Sequence, residues 1–270
     1  MTNDCDRLIE KEHTIMEDIR FQLDHAPIIE AVLDIDCDLP PTLDWSALQA
    51  ASHEVLRSRY PKVRQQFVQN HILTAGGDAA PVHQFNEGLA AVQFLTEDER
   101  QLVQFRANGF SFNRLAPYTT LDDYLPEIES AWLTFRELAG PVMVRKIGFR
   151  MINRILLPLK DDRLDYGDYL ATPPRLPATG LKLGIVGFFD QQMAVDEETG
   201  NLVNIVKTSQ LPEGDKLPVI LDIDTYFECL SPPPEWGELL PRIESLRSLK
   251  NRIFRHTLTP QCLNLFSHSA

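Results

Sequence analysis

Five aspartates in two short runs are the residues whose type and spacing first suggest chemistry. Asp34, Asp36 and Asp38 alternate with Leu33, Ile35 and Cys37, while Asp222 and Asp224 alternate with Leu221 and Ile223. Successive side chains of an extended strand point to opposite faces, so each set of carboxylates shares one face, about 7 Å apart. Carboxylates so placed suit Mg²⁺, which takes one or two of them together with substrate phosphates. Asp34, Asp36, Asp222 and Asp224 would then form the metal centre of a phosphoryl- or nucleotidyl-transfer enzyme. Such a centre also wants a glycine-rich phosphate loop or a third acid, and neither can be placed. The solvated outer face of a half-buried sheet accounts for the same pattern and is the favoured reading.

A second constellation is the triplet Asn-Arg-aliphatic, at Asn113-Arg114-Leu115, Asn153-Arg154-Ile155 and Asn251-Arg252-Ile253. Arginine presents a rigid fork that suits carboxylate or phosphate, and asparagine brings a donor and an acceptor. If the strands holding Arg114 and Arg154 are neighbours, the two guanidiniums clamp one anion and the protein is a nucleotide or anion sensor. The structural alternative has each arginine satisfying a buried carbonyl or an acid such as Glu30. The candidate anion- or ligand-binding set is therefore Glu30, Asn113, Arg114, Arg150, Asn153 and Arg154. The basic run from Arg242 to Arg255 does not gather its charges on one helical face, so it reads as a solvated helix surface. The seven histidines occur singly, and no GxSxG, P-loop or GxGxxG is present, so neither zinc nor a nucleotide cofactor is expected.

The elements that must position these residues are a mixture of strands and helices. Alternation over 31–38 predicts a strand ended by Pro40 and Pro41, followed by a helix over 43–60 that Thr42 or Asp44 caps and Pro61 stops. Strand-like runs follow near 64–74, 88–95 and 101–107. Thr120 and Asp123 have capping-box spacing, with an apolar stripe at Leu121, Leu125, Ile128, Trp132 and Phe135; Pro126 suggests that the regular helix begins only there. A long strand pattern spans 142–157, with a bend at Gly148. After the loop at 172–177 come strands at 181–189, 191–196, 202–208 and 217–226, then a helix over 235–255 with a stripe at Leu239, Ile243, Leu246, Leu249 and Ile253.

The two ends of the chain echo each other. Leu33-Asp34-Ile35-Asp36 recurs as Leu221-Asp222-Ile223-Asp224, and each is followed by prolines, a tryptophan (Trp45; Trp236) and a Leu-Arg-Ser triplet. The expected fold is α+β with two similar lobes, each a mainly antiparallel sheet packed by a long helix. The expected divisions are a flexible tail at 1–20, an N-terminal lobe at 21–171 and a C-terminal lobe at 178–270.

Composition bounds the function. The 270 residues are 43% hydrophobic and 24% charged, which excludes a disordered or collagenous chain. No apolar run approaches the ~20 residues of a membrane span, and the acidic N-terminus does not resemble a secretory signal. The four cysteines are scattered, the usage of a reducing compartment, so a cytoplasmic location is expected. A net charge of −13 disfavours bulk nucleic-acid binding, although residues 100–163 and 242–255 are locally basic.

Three spaced motifs carry a resemblance. Ala26-Pro27-Ile28-Ile29-Glu30-Ala31, then Gly109-Phe110 with Asn113-Arg114-Leu115 and Pro117-Tyr118, then Ile147-Gly148 with Arg150 and Ile152-Asn153-Arg154-Ile155, follow one another between residues 26 and 155. Together they resemble a sporadically distributed family of uncharacterised prokaryotic proteins of about this length. The family carries no established activity; its scattered distribution implies mobile or defence-associated loci, and the resemblance singles out the six candidate residues above. Phe149 stands where a smaller aliphatic residue would be expected. The combined expectation is a noncatalytic binding or regulatory protein, an acidic protein partner in a defence or toxin-neutralising system. A protein partner and a small anionic ligand are the binding expectations, with no membrane and no cofactor.

Overall fold

The computed structural model describes residues 21, 23–74, 82–177, 183–232 and 235–267, with backbone alone at 69–74 and 82–87. The expected tail at 1–20 lies outside these residues, as do the first two residues of the strand expected at 181–189. The strands are β1 (Ile28–Asp38), β2 (Lys62–Thr74), β3 (Val82–Leu95), β4 (Gln101–Arg106), β5 (Gly109–Leu115), β6 (Met143–Pro158), β7 (Phe189–Val195), β8 (Leu202–Ser209) and β9 (Lys216–Ser231). They form one antiparallel sheet in the order β2-β3-β4-β5-β1-β6-β9-β8-β7. The helices are α1 (Trp45–Leu56), α2 (Leu121–Ala139), α3 (Trp236–Thr257) and the short α4 (Pro260–Asn264).

The expectation of two lobes is therefore corrected to a single sheet. β6 makes the join, pairing with β1 from Ile28/Asn153 to Asp38/Met143 and with β9 from Val144/Ser231 to Pro158/Lys216. A 16-residue strand offers two long hydrogen-bonding edges, and with both edges occupied no seam between sheets is left at 172–177. The echoed segments are the two strands that flank β6, each followed in the chain by prolines and then by a helix opened by tryptophan.

One face of the sheet is apolar and holds the helices. Ala31, Leu33, Ile35 and Cys37 of β1 are buried there with Phe110 and Phe112 of β5 and Ile147, Phe149 and Met151 of β6, against Leu48 of α1, Trp132 and Phe135 of α2 and Ile243 of α3. Phe105, Phe110, Trp132 and Phe135 pack ring against ring at 5.0 to 6.3 Å, a geometry that adds to the area they remove from water. A second apolar cluster joins Ile155, Val219, Leu221 and Ile223 to Phe254, Cys262 and Phe266. Cys37 and Cys262 are free and buried, as small hydrophobes are, and Cys229 is free and half-buried. No helix among the described residues is long and apolar enough to cross a membrane.

Local chemistry sets the helix ends. Asp44 caps α1, accepting from the amides of Ser46 and Ala47, and the helix stops at Leu56, short of the expected 60, before Tyr60 turns into the core. The capping box of Thr120 and Asp123 starts α2 at Leu121, and the helix continues through Pro126. The ring therefore costs one internal hydrogen bond on an exposed turn without delaying the start. β6 runs unbroken through Gly148, where the bend was expected.

Candidate functional site

Alternation fixes which side chains share the face opposite the helices, here the open face. Directly paired residues share a face, so register can be read as rows crossing the sheet. One row runs Gln93, Gln104, Ser111, Asp34, Gly148, Tyr226; the next runs Asn113, Val32, Arg150, Asp224, Asn204, Met193. Asp36 stands opposite Lys146, and Glu30 and Asp222 flank Ile152. The strands of the four candidate aspartates are thus separated by β6, which sets Lys146 and Arg150 between them.

Those cations engage the acids. Lys146 Nζ lies 3.5 Å from Asp34 Oδ2 and 4.9 Å from the centre of the Tyr226 ring. Arg150 donates to both oxygens of Asp222, at 2.8 and 2.5 Å, and Arg106 donates to Asp36 at 2.8 Å. A second network crosses four strands: Gln93 donates to Gln104, Gln104 to Asn113 and Asn113 to Glu30, at 2.8, 2.9 and 2.8 Å. Among the described residues no group of three or more His, Cys, Asp or Glu is arranged to hold a metal ion. Of the four aspartates that the sequence offers to a metal, Asp34, Asp36 and Asp222 each stand in a ladder of charge pairs on this face.

Two motif glycines make this packing possible. A Cβ on Gly148 would lie 2.6 Å from Asp34 Oδ1, so the missing side chain leaves the space across which the carboxylate reaches Lys146. Gly109, opposite Asp36, has φ +136°, and a Cβ there would meet the Ile35 carbonyl oxygen at 2.1 Å. Only glycine fits both the backbone angle and the approach.

The ladder is not fully compensated. Burial raises the carboxyl of Asp34 above the ordinary aspartate value, with Lys146 and Arg106 only partly opposing it. Burial likewise raises Asp224, Lys146 offsets this in part, and the charge of Asp34 adds to it. Asp224 Oδ1 is buried without a hydrogen-bond partner. Burial alone would lower the Lys146 ammonium, but Asp34, Asp224 and Asp36 outweigh it and hold its pKa above the ordinary lysine value.

No protein-family model matches the chain, and no curated protein matches it.

The remaining candidates part company. Arg114 sits on the helix face, donating to the Pro117 carbonyl at 3.2 and 3.3 Å with its guanidinium 5.5 Å from the Tyr124 ring centre. Arg154 sits on the open face with Gln210 and Glu213, and β1 separates the two strands. The anticipated clamp of Arg114 and Arg154 is therefore corrected: their strands are not neighbours and the guanidiniums lie on opposite faces. Asn153 faces the helices, donates to the Leu221 carbonyl at 2.9 Å, and lines a cavity with Asn251 from the third triplet. Arg247 and Lys250 also border this cavity, both buried in α3. Sequence reasoning passed over them because it counted the basic residues of this helix as solvated. The available signal was spacing: Arg247, Lys250, Asn251 and Phe254 follow the i, i+3, i+4, i+7 pattern of a buried face. A buried ammonium without a counter-charge costs several kcal/mol.

Proposed function

We propose that the protein is a noncatalytic binding protein that engages a basic protein partner with the open face of its sheet. The observation that carries this reading is the composition of that face beyond the ladder. Phe189, Met193 and Val195 of β7 point to it and are 68%, 71% and 53% exposed, with Met193 in the same row as Asp224. α1, α2, α3 and α4 pack on the other face, and among the described residues none of them covers this one. An apolar strip with aromatic and methionine side chains, rimmed by charge, is the make-up of a protein interface. The partner's sign follows from the excess of acid: acids outnumber bases on β1, β6 and β9 across these rows. A net charge of −13 on each copy opposes self-association through this face.

The test immobilises the full chain and challenges it with native-host lysate at low salt, beside Met193→Asp and Asp224→Arg variants. The captured protein is then purified and titrated back. A basic protein that rebinds the wild type, weakens with salt and loses at least tenfold in affinity for either variant supports the reading. Equal binding to the variants overturns it, as does capture of a second copy alone or of nucleic acid alone.

A further inference from the structure

The opposite side of the sheet holds a cavity of about 120 Å³ between α3, the start of α2, β6 and residues 21 and 23–28, and one of its cations has no counter-charge in contact among the described residues. Arg247 is 5% exposed, and its charge is taken up by both oxygens of Asp122, at 2.8 and 3.0 Å, with Glu244 at 3.5 Å. Lys250, one turn further along α3, is 7% exposed and meets no acid among the described residues. Its Nζ lies 2.9 Å from the Met151 sulfur and 5.9 Å from the Phe149 ring centre, both weak acceptors. Burial, reinforced by the charge of Arg247, pushes this ammonium down to about 7. Across the cavity the Tyr118 hydroxyl is buried without a partner. A cation and a hydroxyl, both lacking an oxygen acceptor, thus border one cavity together with the amides of Asn153 and Asn251.

The missing component is an acceptor with one negative charge. A phosphate dianion calls for a second uncompensated cation, and Arg247 is already committed. Thr119, Thr120 and Asp24 also line the cavity, and Leu121 and Phe254 supply an apolar wall. We propose that this cavity binds a small organic monocarboxylate, its carboxylate held by Lys250 and Tyr118 and its apolar remainder against Leu121 and Phe254. The site is separate from the partner-binding face, so either can fail without the other.

Thermal shift and calorimetry on the full chain at about pH 6 test it, with isobutyrate and benzoate as probes and benzamide and inorganic phosphate as controls. The carboxylates are expected to raise the unfolding midpoint, and the controls to leave it unchanged. Lys250→Met is expected to raise the unliganded midpoint and to abolish the carboxylate shift. Equal shifts in wild type and variant, or no shift with either carboxylate, would overturn the proposal. The pH dependence of wild-type binding serves if the variant does not fold. The charged or titratable groups that line the cavity with Lys250 are Arg247 on its own helix, Tyr118 just before α2 and Asp24 from the segment before β1, while Asp122 and Glu244 lie against Arg247. Burial raises Tyr118, and the Asp122 and Glu244 carboxylates overcome burial to raise Arg247, so neither loses a proton near neutrality. Benzoate affinity should therefore fall roughly tenfold for each pH unit above the lysine's unliganded value. Affinity unchanged up to about pH 9 would refute the assignment.

Discussion

At the scale of single residues, Asp224 holds the least compensated charge on the open face. Its Oδ1 is buried without a partner and burial raises its carboxyl, so the folded protein holds this proton to higher pH than the unfolded chain does. Stability from this group is therefore fully present below the ordinary value of 3.8 and is lost as pH rises through the raised folded value. Asp224→Asn keeps the shape and removes the charge. The variant should be more stable than wild type at neutral pH, by about 1 kcal/mol, the lower end of the cost of an unsatisfied buried acceptor. The difference should vanish near pH 3, where both side chains are neutral. Urea denaturation at the two pH values measures this, and a variant less stable at pH 7 would mean that attraction to Lys146 and Arg150 outweighs desolvation.

At the scale of elements, what could be read from the sequence was whatever a short window determines. The alternation at Leu33-Asp34-Ile35-Asp36 announced a strand with one apolar and one acidic face, and Thr120 with Asp123 announced a helix start, because both signals lie within a few residues. Pro126 was misjudged because the proline rule weighs the backbone alone, whereas the buried stripe from Leu121 to Phe135 holds α2 together on both sides of the ring. The proline therefore remains a local cost. Pro126→Ala restores an amide able to bond the Asp122 carbonyl, and should stabilise the protein by roughly 1–3 kcal/mol. Chemical denaturation checks this; a loss of stability would show that the ring itself contributes to packing. The polar residues of α3 were missed for a related reason. An apolar stripe identifies a buried face only where that face is apolar, and Arg247, Lys250 and Asn251 are buried polar residues on it.

At the scale of the whole molecule, pairing between distant strands decides the architecture, and no short window contains it. The sequence of a strand tells which face is buried but not which strand occupies each edge. The echo between β1 and β9 therefore suggested two lobes, whereas both strands flank β6 in one sheet. The same fact explains why the acids of both segments meet on one face while Arg114 and Arg154 never meet. It also bears on folding. A chain cut after residue 171 retains β1 to β6 and α1 and α2, but uncovers the β6 edge that pairs with β9 from Val144 to Pro158. It also loses α3, whose Leu239, Ile243 and Leu246 belong to the same apolar cluster as Trp132 and Phe149. Two independent lobes would leave such a fragment folded; one sheet with a shared core leaves it with an unpaired edge and an open apolar face. The 1–171 fragment should therefore show no cooperative thermal transition, while the full chain unfolds in one step seen alike by near- and far-ultraviolet circular dichroism. A folded fragment, or two resolved transitions in the full chain, would restore the division at 172–177 as a true boundary.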